Sequence, residues 1–266
     1  MSGFYSAISL ALKARFIFLA FGTFLVVALA MLMSSLFSGR QPATVALDVG
    51  LSITRLLFPL LIVLLVQELL SREFDKRYYL TSLSYPHARN HILFARVAAV
   101  ICLVSGALLS LGLFQIFLMR FFEAIYPQAT QVDLGVAYWT VIAFVFVDFL
   151  VLIAVASLLA VVASTPSFVL IGTFGFMLVA RSYGAIIELL GSGAGLVADP
   201  DAYRAGLGVL GYLFPDLGGL DVRMLALYGK SEFLPSDWHW LILSCLGYAI
   251  ALLAMAVWAL QRKRFA

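Results

Sequence analysis

Six stretches of about twenty mostly apolar residues dominate the chain: Phe16–Phe37, Gly50–Leu70, Leu93–Met119, Val136–Ala163, Phe168–Leu190 and His239–Leu260. Each is long enough to cross the roughly 30 Å hydrocarbon core of a bilayer as a helix. None alternates polar and apolar residues at a period of two, which barrel strands require. With 64% hydrophobic and 12% charged residues, the chain is far more apolar than a soluble domain, which has about 25% charged residues. An ordinary cytosolic enzyme, a disordered chain and a nucleic-acid-binding domain are excluded. The expected fold is an all-α integral membrane protein with six transmembrane helices.

Basic residues orient such a protein. With both termini cytoplasmic, the inner side holds Lys13, Arg15, Arg72, Lys76, Arg77, Arg89, Arg96, Arg262, Lys263 and Arg264, against Glu68, Glu73 and Asp75. The other seven basic residues face eleven acidic ones on the outer side or in the spans. This excess fits both termini on the cytoplasmic side, and the expected location is the inner (cytoplasmic) membrane, with Tyr126, Tyr138, Trp139, Trp238 and Trp240 as an outer aromatic belt and Tyr78, Tyr79, Tyr85 and Trp258 near the inner surface. The first apolar run is too long for the core of a cleaved signal peptide and reads as an uncleaved span. Before it, Ser2, Ser6, Ser9 and Lys13 share one face and Phe4, Tyr5, Ile8, Ala11 and Leu12 the other, so residues 1–15 read as an amphipathic interfacial helix.

The connections differ in content. Ser38–Val49 and Arg120–Gly135 are short outer loops. Ser164-Thr165-Pro166-Ser167 is a tight turn, with Pro166 suited to the first turn of the fifth span. The inner segment 71–92, SREFDKRYYLTSLSYPHARNHI, joins charges to Tyr78, Tyr79, Leu80 and Leu83 and is broken by Pro86. It reads either as a docking element for a cytoplasmic partner or as a solvated loop anchored by tyrosines. The outer segment 191–238 holds the apolar stretches Ala202–Phe214 and Val222–Leu227 among many glycines. Short re-entrant or interfacial helices between spans five and six, or a small folded cap, would explain it.

Other motifs carry no chemistry. Gly229-Lys230-Ser231 ends like a phosphate-binding loop, but Met224 occupies the position of its leading glycine. Gly191-Ser192-Gly193-Ala194-Gly195 is followed by Leu196 and follows no strand. His87 and His91 lack the following glutamate of a zinc-protease helix, and His239 stands alone, so no metal site is expected. Cys102 and Cys245 read as buried small hydrophobes. No catalytic set is evident, which leaves an intramembrane enzyme as a weak third reading.

Three charges lie inside the spans. Asp148 is near the middle of span four, Arg181 in the outer half of span five, and Arg55 about one and a half turns into span two. A charge in a bilayer is costly unless it is paired, hydrated or snorkelling. Asp148 and Arg181 each lie more than about 15 Å along their helices from the start of their spans, so they match in depth. Arg181 and Glu188, seven apart on one face, are a second pairing. Such residues serve as a structural ion pair, line a substrate path or relay protons.

The 71–92 segment also carries a family resemblance. Glu73, then twelve residues, Pro86, and Arg89 three further on, followed by Ala95-Arg96 at the third span, resembles the permease subunit of ATP-binding-cassette transporters of the type-2, exporter-like class. Leu83 stands where that family has the second of two leucines, with Ser82 in place of the first. Arg77-Tyr78 stands for Gly-Thr, and Ala95-Arg96 for Gly-Lys. The resemblance implies that 1–266 is a single transmembrane permease domain. It implies export of a substrate driven by a separate cytoplasmic ATPase subunit, and a second permease copy or homologue, in a homodimer. It implies that 71–92 is a coupling helix meeting the ATPase through Glu73, Tyr79, Leu83, Pro86, Arg89 and Arg96. ATP and Mg would sit on the partner, with no cofactor bound directly. An ATP-driven scaffold acting on an extracytoplasmic maturation partner at 191–238 is the alternative expectation.

Overall fold

In a computed structural model, residues 2–13, 16–71, 89–125, 132–163, 165–191 and 214–262 are described. They form α1 (Ser2–Lys13), α2 (Phe16–Phe37), α3 (Pro42–Val66, continued by a π turn, Gln67–Ser71), α4 (Arg89–Ile125), α5 (Val136–Val162), α6 (Pro166–Gly191), α7 (Arg223–Tyr228), a 3-10 turn at Ser231–Phe233, and α8 (Trp238–Arg262). No strand occurs among the described residues. Among the described residues six helices, α2 to α6 and α8, are long and apolar enough to cross a membrane.

Three helix starts follow from local sequence. Pro42 and Pro166 open α3 and α6, where proline costs no hydrogen bond and its fixed φ suits the first turn. α3 therefore begins eight residues before the apolar run that marks it in sequence, and the outer loop expected at Ser38–Val49 shrinks to residues 38–41. Asp48 lies in that added stretch, yet Ala43, Ala46 and Leu47 around it are fully buried. α4 begins at Arg89, so the last residues of the 71–92 segment are helical.

α5 is the hub. It packs against α3, α4, α6 and α8, while α2 leans on α3 and α1 on α4. In a bilayer, packing of small residues and interhelical hydrogen bonds hold helices together, because lipid is as apolar as leucine. α8 accordingly buries Cys245, Ala249, Leu252, Ala256 and Leu260, a stripe at helical spacing. Phe58 of α3 stacks on Phe149 of α5, ring centroids 5.2 Å apart. At Gly50, a Cβ would meet the Met31 sulfur at 2.8 Å, so glycine sets how closely α2 approaches α3.

Several expectations need correction. Tyr138 is not in an aromatic belt. It is fully buried, its hydroxyl donating to Gln115 Oε1 at 2.8 Å or Gly112 O at 3.1 Å. Gln115 Nε2 in turn donates to Thr54 Oγ1 at 3.1 Å, so this polar knot joins α3, α4 and α5, and burial demands such satisfaction. Cys245 is buried but Cys102 is exposed on α4. Among the described side chains of α1, Ala7 and Ala11, one turn apart, are buried and Tyr5 is exposed, while Phe4 and Leu12 of the expected apolar face lie outside them. Val222–Leu227 falls on the short helix α7. α7 spans six residues, about 9 Å, and buries Leu225, Ala226 and Leu227 against the bundle. Most of Ala202–Phe214 lies outside the described residues.

α7 ends at Gly229, whose φ of +65° closes the helix while its N–H donates to Leu225 O at 2.9 Å. The phosphate-loop lookalike is thus a left-handed helix stop. Gly229→Ala should cost about 1 kcal/mol, read as a lower midpoint in detergent unfolding. An unchanged midpoint would mean the turn relaxes freely.

Candidate functional site: an ionic cluster beside a cleft

Bonds at the helix ends define two poles. At one, Asp133 N donates to Ala226 O at 3.0 Å and Arg223 pairs with Asp48 at 3.1 Å, joining the start of α5, α7 and the first turns of α3. At the other, Gln67 Nε2 donates to Pro166 O at 2.7 Å, Arg96 donates to Leu69 O, and Gln261 Nε2 donates to Asn90 Oδ1 at 3.3 Å. That second pole gathers the π turn, the start of α4, the α5–α6 turn and the end of α8. Residues 72–88 connect two elements of this pole.

Between the poles, toward the first, lies the charge cluster. Asp148 on α5 is fully buried. Its Oδ2 accepts from Arg181 Nη2 of α6 at 2.7 Å and from Arg55 of α3, whose Nη2 stands at 3.3 Å and Nε at 3.4 Å. Arg55 Nη1 reaches Asp221 at 2.7 Å, and its Nη2 also donates to Leu217 O at 3.0 Å. Arg223 extends the chain of charges, with Nε 3.5 Å from Asp221 and Nη1 on Asp48 and Ser52. Sequence depth alone makes Asp148 and Arg181 a candidate pair, and the structure brings them together. It adds Arg55 to the same carboxylate. The competing pair with Glu188 cannot be placed, because the Glu188 side chain lies outside the described residues.

One bond explains why Arg181 stands there. Pro59 has no N–H, so the carbonyl of Arg55, four residues earlier, lacks its helical donor. Arg181 Nη1 donates to that carbonyl at 3.0 Å. The guanidinium therefore serves two needs: it neutralises Asp148 and satisfies a backbone group that proline leaves open inside a span. Sequence reasoning had both residues but not this link, although a proline four residues after an intramembrane arginine is a signal that could have found it.

Beside the cluster opens a cleft of about 670 Å³ between α3 and α6, floored by the 216–221 loop. Arg55, Arg181 and Arg223 line it, with Asp216, Asp221, Ser52 and Leu56. Its volume falls within the range typical of small-molecule sites.

Of the residues expected to meet an ATPase, Glu73, Tyr79, Leu83 and Pro86 lie outside the described residues, as does the Arg89 side chain. Arg96 is on the first turns of α4 and holds the carbonyl of Leu69 in the π turn. No protein-family model and no curated protein matches the sequence.

Proposed function

We propose that the chain is the membrane-spanning permease subunit of an ATP-binding-cassette exporter, both termini cytoplasmic, working as a dimer with a separate ATPase. The observation that carries this reading is the course of α3. One helix runs from Arg55 in the ionic cluster to Gln67, twelve residues or about 18 Å on, and passes through the π turn into the 72–88 connection. A push on that connection is thereby delivered to the cluster and the cleft beside it. The spacing of Glu73, Pro86 and Arg89 supplies the resemblance on which the ATPase partner rests. Arg96, bonded to the π turn, holds the base of the connection, and α1 lies at the cytoplasmic interface. Two alternative packings of the spans around Asp148 would give alternating access, because packed interfaces switch between discrete arrangements.

The test is purification of the tagged chain from its native membranes in mild detergent, with ATPase activity measured on the product. The expected result is a stoichiometric ATP-binding subunit that is lost when Tyr79, Leu83 and Arg89 are replaced by alanine, while the chain itself stays folded. A folded chain that carries no ATPase, or keeps it in the triple variant, overturns the reading.

A further inference from the structure

We propose that the cleft between α3 and α6 is a water-filled vestibule, open to small polar solutes from the α7 pole and closed at its inner end by the Asp148 cluster. Its orientation, with α7 outside, rests on the permease reading, but the vestibule itself needs no ATPase. Along α3, Arg55 lies twelve residues, about 18 Å, from Gln67. Along α6, Ala180 lies fourteen residues, about 21 Å, from Pro166. Gln67 and Pro166 are bonded to each other at the second pole. With that bond at the inner edge of a hydrocarbon layer about 30 Å thick, Arg55 and Ala180 sit inside the layer, about 10 Å below its outer edge.

Irregular backbone occupies that depth. Leu217 N donates to Ala180 O at 3.2 Å, and Leu217 O accepts from Arg55 at 3.0 Å. These bonds pin the 216–221 loop to α6 and α3. A Cβ at Gly218 would meet Arg181 O at 2.6 Å, so glycine lets the loop lie against α6. A turn closed by Gly219 N on Asp216 Oδ1, at 3.0 Å, shapes the loop. Leu217 and Leu220 are buried in the bundle, but Asp216, Gly218, Gly219 and Asp221 line the cleft and are at least partly exposed. Non-helical backbone at membrane depth is stable where protein buries it or water bathes it, and not against lipid.

The ion pairs select water. Side-chain exposure falls from 43% at Asp48 and 36% at Arg223, through 31% at Asp221, to 19% at Arg181, 10% at Arg55 and 0% at Asp148. That gradient is the mark of a funnel wetted from the α7 end. A second protein seated in it would strip water from charges that already satisfy one another, a desolvation with no new partner to offset it. Beyond Asp148 the way is shut, because the next aromatic pair inward, Phe58 and Phe149, is stacked and fully buried.

Three variants along one face of α3 test this. Ser52→Cys is at the rim, Leu56→Cys one turn deeper in the cleft wall, and Leu60→Cys one turn further, exposed but outside the cleft. Membrane vesicles of known sidedness, with no nucleotide added, are treated with membrane-impermeant thiosulfonates, one bearing a sulfonate and one a quaternary ammonium. The parent chain, with Cys245 buried and Cys102 on the exposed face of α4, gives the background. A thiol in apolar surroundings stays protonated and inert, so Ser52→Cys and Leu56→Cys should label about tenfold or more faster than Leu60→Cys, with both reagents and from the α7 side. Silence at Leu56→Cys beside labelling at Ser52→Cys would mean that lipid or a second copy covers the cleft, and overturns the proposal. Equal labelling of all three variants, or labelling from the opposite side, overturns it as well. A second measure is independent of labelling. Leu56→Asn should leave the midpoint of unfolding in mixed micelles near that of the parent, whereas Leu60→Asn, facing lipid, should lower it. A loss at Leu56→Asn as large as that at Leu60→Asn also overturns the proposal.

Discussion

Asp148→Asn is expected to destabilise the protein by about 3–5 kcal/mol, the range for breaking a buried ion pair. The carboxylate is fully buried and takes contacts from two guanidiniums. Arg55 would keep Asp221, but no other ion pair is described for Arg181. The cost is therefore dominated by one uncompensated charge rather than by lost hydrogen bonds. Neutral side-chain hydrogen bonds between membrane helices are worth only about 0.6 kcal/mol on average, so Tyr138→Phe in the neighbouring polar knot should cost several-fold less. Unfolding in mixed micelles with rising dodecyl sulfate, followed by helicity, compares the two. A smaller effect for Asp148→Asn than for Tyr138→Phe would show that the cluster is hydrated and weakly coupled.

Arg181→Met should cost about 2–4 kcal/mol, through the loss of a charge partner and of the donor to the Arg55 carbonyl. The second part has its own signature. Pro59→Ala restores a backbone N–H that can reach the same carbonyl, so it should recover about 1 kcal/mol in the Arg181→Met background. In the parent, where Arg181 already occupies that carbonyl, the same change should bring no such gain. A double-mutant cycle isolates this coupling. Simple additivity of the two changes would mean that the carbonyl is served by another group.

How far sequence anticipates these features depends on whether they are local. The ends of the first span at Phe16 and Phe37 follow from hydropathy because apolar length and helix length coincide there. For α3 they do not. Asp48 and Thr44 break the apolar run, yet a helix tolerates them, because Asp48 is paired by Arg223 and the residues around it are buried by neighbours. The match of Asp148 with Arg181 is readable from helix rise alone. The roles of Asp221, Arg223 and Asp216 are not, since they depend on how the 214–223 loop folds back on α3 and α6. Tyr138 misleads for a similar reason. Near a span end it resembles an interfacial anchor, and only the placement of Gln115 and Gly112 opposite it shows why it turns inward.

The length of α4 has a mechanical consequence. Its 37 residues extend about 56 Å, nearly twice the hydrocarbon thickness of about 30 Å. Such a rod must tilt steeply or project well beyond the apolar layer. Its first residue, Arg89, directly follows the 72–88 connection. A rotation of about ten degrees about a pivot at its middle would then sweep each end through about 5 Å, in opposite directions. In the permease proposed above, α4 would act as a lever, with the force applied at one tip and the stroke appearing at the other.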